Sequence, residues 1–180
     1  MKTYTTKNIR NVVLLGSSKS GKTTLAETMM FEGKVIDRRG TIEAKNTISD
    51  NTEVEQIYQR SIYSTPLYAE FMDNNLNIID TPGSDDFVGG VYSAFSVAEN
   101  GILLVNATQG VEVGTEIFAR HAMNNHKPLV IAVNQLDHEK ADWQATIDSL
   151  KQTFGNKVVL VQYPINAGPS FNAMIDVLLM

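Results

Sequence analysis

The sequence predicts a three-layer α/β fold, in which a mostly parallel six-stranded sheet with one antiparallel edge strand carries helices on both faces. Three observations support this. Short, wholly apolar runs alternate with segments of helical period, the pattern of strands buried on both faces and joined by crossover helices. The first of these runs leads directly into the glycine-spaced stretch GSSKSGKTT and then into a helical pattern, a strand–loop–helix unit suited to cradling phosphate. The chain has 180 residues, 43% apolar and 19% charged, enough to bury one core of ordinary size.

Taken in order, VVLLG (12–16), LNIID (76–80), GILLVNA (101–107), PLVIAVN (128–134) and KVVLVQY (157–163) read as short buried strands. Helices are predicted at 22–32, 88–99, 114–125 and 140–154. In the last, Trp143, Ile147, Leu150 and Phe154 recur at helical spacing and form a core-facing stripe. The segment 40–58 is polar and lacks apolar periodicity, so it reads as a long mobile loop with a short helix near 51–58. In YSTPLYAEF (63–71), Leu67, Ala69 and Phe71 share one face of a half-buried strand, and Pro66 suits a sheet edge. MDNNL then supplies a hairpin turn into LNIID. There is no internal repeat and no low-complexity linker.

Composition narrows the function classes. With no cysteine, disulfides, thiolate metal sites and thiol catalysis are all excluded. A net charge of −5 speaks against a broad basic surface for DNA or RNA. The amino-terminal apolar run of five residues is too short for a secretory signal. No segment approaches the roughly 20 apolar residues that span a bilayer. A cytoplasmic chain without membrane or DNA contact is expected. His121, His126 and His138 have no spacing that suits a metal site and read as solvated surface.

The chemistry concentrates in three segments. Gly16, Ser17, Ser18, Lys19, Ser20, Gly21, Lys22, Thr23 and Thr24 match the phosphate-loop pattern, two glycines with four residues between them followed by Lys and Thr. Converging backbone N–H groups need glycine at the tight positions, and the following helix N-terminus favours anions. Lys22 would reach the outer phosphates and the Thr23 hydroxyl would ligate Mg²⁺. Asp80 ends a buried strand, where its carboxylate can hold the metal through water. Thr81, Pro82 and Gly83 follow, and the Gly83 N–H can meet a terminal phosphate. Asn134, Gln135 and Asp137 lie at the end of another strand. Asp137 can accept two N–H bonds from a guanine edge, whereas adenine presents an acceptor at one of those places. Asn134 would tie this loop back to the phosphate loop. GTP is favoured over ATP, which weakens a kinase reading.

These blocks resemble the G domain of translational GTPases, most closely elongation factor G and elongation-factor-G-like proteins. The resemblance runs over nearly all of the chain: KNIRNVVLLG and SGKTTLAE, RRGTIE and SD in the first switch, NIIDTPG and DFVGGV, VNATQGVEVGTE, and NQLD. DNT–E and VYSAFSV are also similar to ribosomal protection proteins. The resemblance implies a Ras-like phosphate-loop fold, GTP/GDP and Mg²⁺ as ligands, the ribosome as partner and a monomer. It further implies that residues 1–180 form a GTP-binding domain lacking the fifth guanine element and the later domains.

Three departures from the family pattern matter. Counted without gaps, the hydroxyl residue of the first switch falls on Ser61, a third candidate metal ligand beside Thr23 and Asp80; a gapped register puts Tyr63 there instead. Gln135 replaces the family's Lys beside the guanine, implying weaker affinity with specificity kept through Asp137. Ser84 replaces the His that orients the attacking water, implying that GTP is bound but hydrolysed poorly. Harmless drift, with the water held by another group, is the competing reading. The functions left open are translocation, ribosomal protection, and a GTP-responsive binding module without turnover.

Overall fold

In a computed structural model describing residues 3–179, the five strands of the main sheet run in the order β2-β3-β1-β4-β5. They are β1 (Ile9–Leu15), β2 (Thr65–Phe71), β3 (Asn74–Asp80), β4 (Asn100–Asn106) and β5 (Leu129–Asn134). The central strand β1 is parallel to both β3 and β4, and β4 is parallel to β5. Strand β2 is antiparallel to β3 and forms one edge, where the exposed Pro66 forfeits no inner ladder bond. Met72 and Asp73 make a two-residue turn with φ 44° and 59°. Positive φ at both positions matches the twist of the flanking strands.

Helices α1 (Lys22–Glu32), α3 (Val88–Val97), α4 (Val113–Asn124) and α5 (Trp143–Phe154) fall close to the predicted segments. The short α2 (Glu53–Tyr58) lies inside the polar loop. Successive β1 residues serve opposite faces, as the strand period of two requires. Val13 and Leu15 pack with Phe95, Phe118, Ile147 and Leu150 from α3, α4 and α5. Leu14 packs with Ile78, Ala69 and Ala26 of α1. Covering both faces keeps the apolar parallel strands from water, and it presents their carboxyl ends together on one rim.

Three expectations are corrected. The sixth strand over 157–163 is absent from the main sheet. Gly155–Lys157 is a 3-10 turn, and Val158 and Leu160 pack on the core without entering the ladder of β5. Pairing begins only in β6 (Gln162–Pro164), antiparallel to β7 (Met174–Asp176) in a separate two-stranded sheet. The inward alternation of Val158 and Leu160 carries the strand period, but ladder bonding is a separate requirement that alternation does not encode. Second, the 40–58 segment is folded onto the domain. Thr47, Ser49, Asp50 and Glu55 are all buried, and the buried Glu27 carboxylate of α1 accepts the backbone N–H groups of Gly40 and Ile48. Polar bonds hold this segment, which is why no apolar period announces it. His121, read as solvated surface, is half-buried, its ring stacked on Tyr92 at 4.2 Å between centroids.

Candidate functional site

The phosphate loop leaves β1 at Gly16, whose φ of 140° and close approach to β4 both require glycine. A Cβ there would lie 2.5 Å from the Leu104 carbonyl oxygen. Gly21, at φ 99°, precedes α1, and a Cβ would collide with the Asn134 side-chain amide. That amide donates to the Ser20 carbonyl at 2.9 Å, so the strand-end loop of β5 is fastened to the phosphate loop. Gln135 adds a second tie, with Nε2 donating to the Lys19 carbonyl at 3.1 Å. The hydroxyls of Ser17 and Ser20 are buried without a partner.

Lys22 is 6% exposed, and its ammonium donates to the Gly16 and Ser17 carbonyls, both at 2.9 Å. Burial pulls its pKa down to about 8, against the opposing pull of Asp80, Asp50 and Glu112. Gly83 arrives beside it from the end of β3: a Cβ on Gly83 would lie 2.5 Å from the Lys22 ammonium and 2.7 Å from the Ser18 nitrogen. Thr81 anchors that turn by donating to the Leu14 carbonyl at 2.6 Å, and Pro82 is buried next to it.

Beside Lys22, hydroxyls and carboxylates from three parts of the chain converge. Thr23 and Ser49 each donate to one oxygen of Asp80 at 2.7 Å, and the Ser61 hydroxyl lies 3.2 Å from that of Thr23. The other Asp80 oxygen is buried without a partner. Asp50, 4% exposed, lies at the same corner. Ser61 is close enough to favour its charged form, yet neither Asp50 oxygen completes a well-formed hydrogen bond. Burial raises the pKa of both carboxylates; for Asp80 this outweighs the hydrogen bonds from Ser49 and Thr23 and the charge of Lys22. For Asp50 it outweighs Ser61 and is reinforced by Asp80. Buried, partly unpaired acids are the arrangement a cation relieves. Among the described residues no group of three or more His, Asp or Glu side chains could hold a metal. A divalent ion here would therefore take much of its coordination from a ligand's oxygens and water, as Mg²⁺ does with phosphates.

Lys22, Thr23, Asp50 and Ser61 border a cleft of about 320 Å³. Ser18, Lys19, Gly21, Lys22, Thr23 and Thr24 line it from the phosphate loop and α1, Gly83 and Ser84 from the turn after β3, and Asp50, Gln59, Arg60 and Ser61 from the segment before β2. Gln135 lines it from the loop after β5. The orphaned hydroxyls, the glycine-bared surfaces and the buried ammonium fit a polyphosphate with its metal. Tyr63, the alternative to Ser61, is 61% exposed and contributes only its backbone N–H, to Glu55. Asp137 lies exposed three residues beyond Asn134 and is not part of the cleft wall. Ser84 stands at the cleft, but its hydroxyl donates to Asp86 at 3.2 Å.

Sequence reasoning missed Ser49, Asp50, Glu55 and Arg60. One signal was available: Thr52 and Glu55 have the T-x-x-E spacing of a capping box, which is formed here. The Glu55 carboxylate also accepts from Ile62 N and Tyr63 N at 3.0 and 3.1 Å, and so fixes the two residues that follow Ser61. Burial alone would raise its pKa, but the Ile62 N–H, the Thr52 hydroxyl and the Tyr63 N–H together hold it below the ordinary value.

Comparison with known proteins agrees with this geometry. Residues 7–176 match the family described as "Elongation factor Tu GTP binding domain". The chain is 34% identical over 172 residues to "Elongation factor G-like protein" of Thermotoga maritima, covering 96% of this chain and 24% of that one. It is 33% identical over 177 residues to "Elongation factor G" of Mycoplasma genitalium, covering 98% and 26%. A solved crystal structure from Thermus thermophilus superposes with a TM-score of 0.88 at 31% identity, covering 94% of this chain and 25% of that one. The chain thus spans about a quarter of the length of these relatives.

Proposed function

This chain belongs to the elongation factor Tu GTP-binding domain family, and from that premise we propose that it binds GTP and GDP with Mg²⁺ as the nucleotide switch of an elongation-factor-G-like protein acting in ribosomal translocation. The observation that carries the reading is the meeting of Thr23, Ser49 and Ser61 around Asp80, beside a buried Lys22. Three segments distant in sequence share one polar corner, and a magnesium–triphosphate would supply the charge and acceptors that corner lacks. In this reading Lys22 and the loop N–H groups hold the phosphates. Thr23 and Ser61 ligate the metal, Asp80 steadies it through water, and Asp137 selects guanine. The bound ion brings charge neutralisation of the phosphates. Ser61 and the folded 40–58 segment are the parts that sense the nucleotide state. In the whole protein that state would be read by the ribosome, in the cytoplasm.

Hydrolysis is proposed to be weak, because Ser84 stands at the family's His position with its hydroxyl directed to Asp86. That observation also favours a second reading, a GTP-responsive binding module without turnover. The test of the main reading is calorimetric binding of GTP, GDP and ATP with Mg²⁺. Micromolar or tighter binding of both guanine nucleotides, with ATP much weaker, is expected. Equal binding of ATP, or no nucleotide binding, would overturn it.

A further inference from the structure

We infer that Arg60 recognises the terminal phosphate of the bound nucleotide, leaving the ring of Tyr58 when a third phosphate enters the cleft. The inference rests on the guanine-nucleotide reading above and gives it a source of selectivity between GTP and GDP.

Arg60 borders the phosphate cleft together with Lys22, Gly83 and Ser84. Its guanidinium carbon lies 5.6 Å from the centre of the Tyr58 ring, and that ring is 62% exposed. A cation over an exposed ring is weakly held. Among the described residues no carboxylate forms an ion pair with Arg60 and no side-chain hydrogen bond of Arg60 is made, so its five donors are engaged by no protein acceptor.

The backbone around Arg60 is fixed, so that only the side chain has to move. Its N–H donates to the Glu55 carbonyl at 3.2 Å, and the N–H groups of Ile62 and Tyr63 are held by the buried Glu55 carboxylate. Gln59 turns the chain at φ 50°. Ser61, the adjoining residue, is already engaged with Thr23. Arg60 is therefore carried on a braced segment at the mouth of the site.

Charge gives the movement its direction. Lys22 lies deep, on the carbonyls of Gly16 and Ser17, while Asp50 and Glu43 add negative charge to the same cleft. A planar guanidinium at the open end supplies a two-pronged donor matched to phosphate oxygens. GDP presents no terminal group at that place.

The experiment is calorimetric titration of the 180-residue chain with Mg²⁺ and either GDP or a GTP analogue bearing a non-hydrolysable imido bridge. Arg60→Ala should weaken the analogue by about 10- to 100-fold, as expected for lost charge-assisted bonds, and leave GDP within about twofold. Arg60→Lys should recover part of the loss. Tyr58→Ala, which removes only the resting place, should leave analogue affinity unchanged or raised. Equal losses for GDP and analogue in Arg60→Ala, or a loss in Tyr58→Ala as large as in Arg60→Ala, would overturn the inference while the nucleotide reading stood. Failure of the unaltered chain to bind either nucleotide would overturn both.

Discussion

The Thr23 hydroxyl donates to the Asp80 carboxylate across 2.7 Å, joining the first turn of α1 to the end of β3. The second Asp80 oxygen is buried and unpartnered. A carboxylate satisfied on one side only is poised for a metal's water shell. Asp80→Asn keeps the shape and removes the charge. It should leave the thermal stability of the nucleotide-free chain unchanged or higher, since burial disfavours that charge. The gain in GTP affinity that Mg²⁺ provides should fall by about tenfold or more. Titrations with and without Mg²⁺ decide it, and an undiminished Mg²⁺ effect would remove Asp80 from the metal's surroundings.

Glu55 gives the first switch a pH dependence of definite sign. Its folded-state pKa lies below the ordinary 4.5, so its contribution to stability is present above about that value. It is lost as pH falls through the lower, folded-state value. Glu55→Gln keeps some acceptor capacity but not the charge, and at neutral pH should destabilise the chain by about 1–3 kcal/mol. Its unfolding midpoint should also change less between neutral pH and acid than that of the unaltered chain. Denaturant titrations at several pH values show whether the two curves converge at low pH; parallel curves would disprove the role.

Much of this arrangement was legible in the sequence. The positions of β1, β3, β4 and β5 follow from apolar runs that only a doubly covered sheet accommodates, and Gly16, Gly21 and Gly83 mark where a Cβ would strike a neighbour. The Asn134 tie to the phosphate loop was equally readable, because the strand ends place both loops on one rim. What escaped was held by polar bonds. Ser49, Asp50 and Glu55 are buried through hydroxyls, carboxylates and backbone N–H groups, and a hydropathy pattern records none of these. The sixth strand failed for the opposite reason: Val158 and Leu160 have the right pattern and bury correctly, yet no ladder forms with β5.

Gln135 is more than a shortened lysine. Held at φ 60°, it accepts from the Asn106 amide at 2.8 Å and donates to the Lys19 carbonyl, linking the ends of β4 and β5 to the phosphate loop. Gln135→Ala breaks both bonds. Each is worth about 0.5–1.5 kcal/mol in holding the loops in place, so affinity for GTP and GDP should fall together, by about 5-fold and by no more than about 160-fold. The preference for GTP over ATP should persist, because it is assigned to Asp137. Asp137→Ala should instead reduce that preference. Competition binding with both nucleotides separates the roles, and loss of preference in Gln135→Ala would reassign the guanine contact.

In the proposed reading, Ser84 sets how fast the bound nucleotide is turned over. It borders the cleft next to Gly83 and Lys22, so the position suits a group that aims water at a terminal phosphate. A serine hydroxyl is short, titrates far from neutrality, and here donates to Asp86. Asp85 and Asp86 are exposed, and moving either toward a triphosphate brings like charges together. A missing orienting group typically lowers rate by about 10²–10⁴. Single-turnover hydrolysis with ribosomes should therefore be slow for the unaltered protein, and Ser84→His should raise it by about tenfold or more while GTP affinity stays within a few-fold. An added His can form an ion pair with Asp85 or Asp86 instead of facing the cleft, so Ser84→His combined with Asp86→Asn should gain further. Turnover by the unaltered protein as fast as by a His-bearing factor would mean that another group already holds the water, and Arg60 and Gln59, which line the same cleft, would be the first side chains to replace.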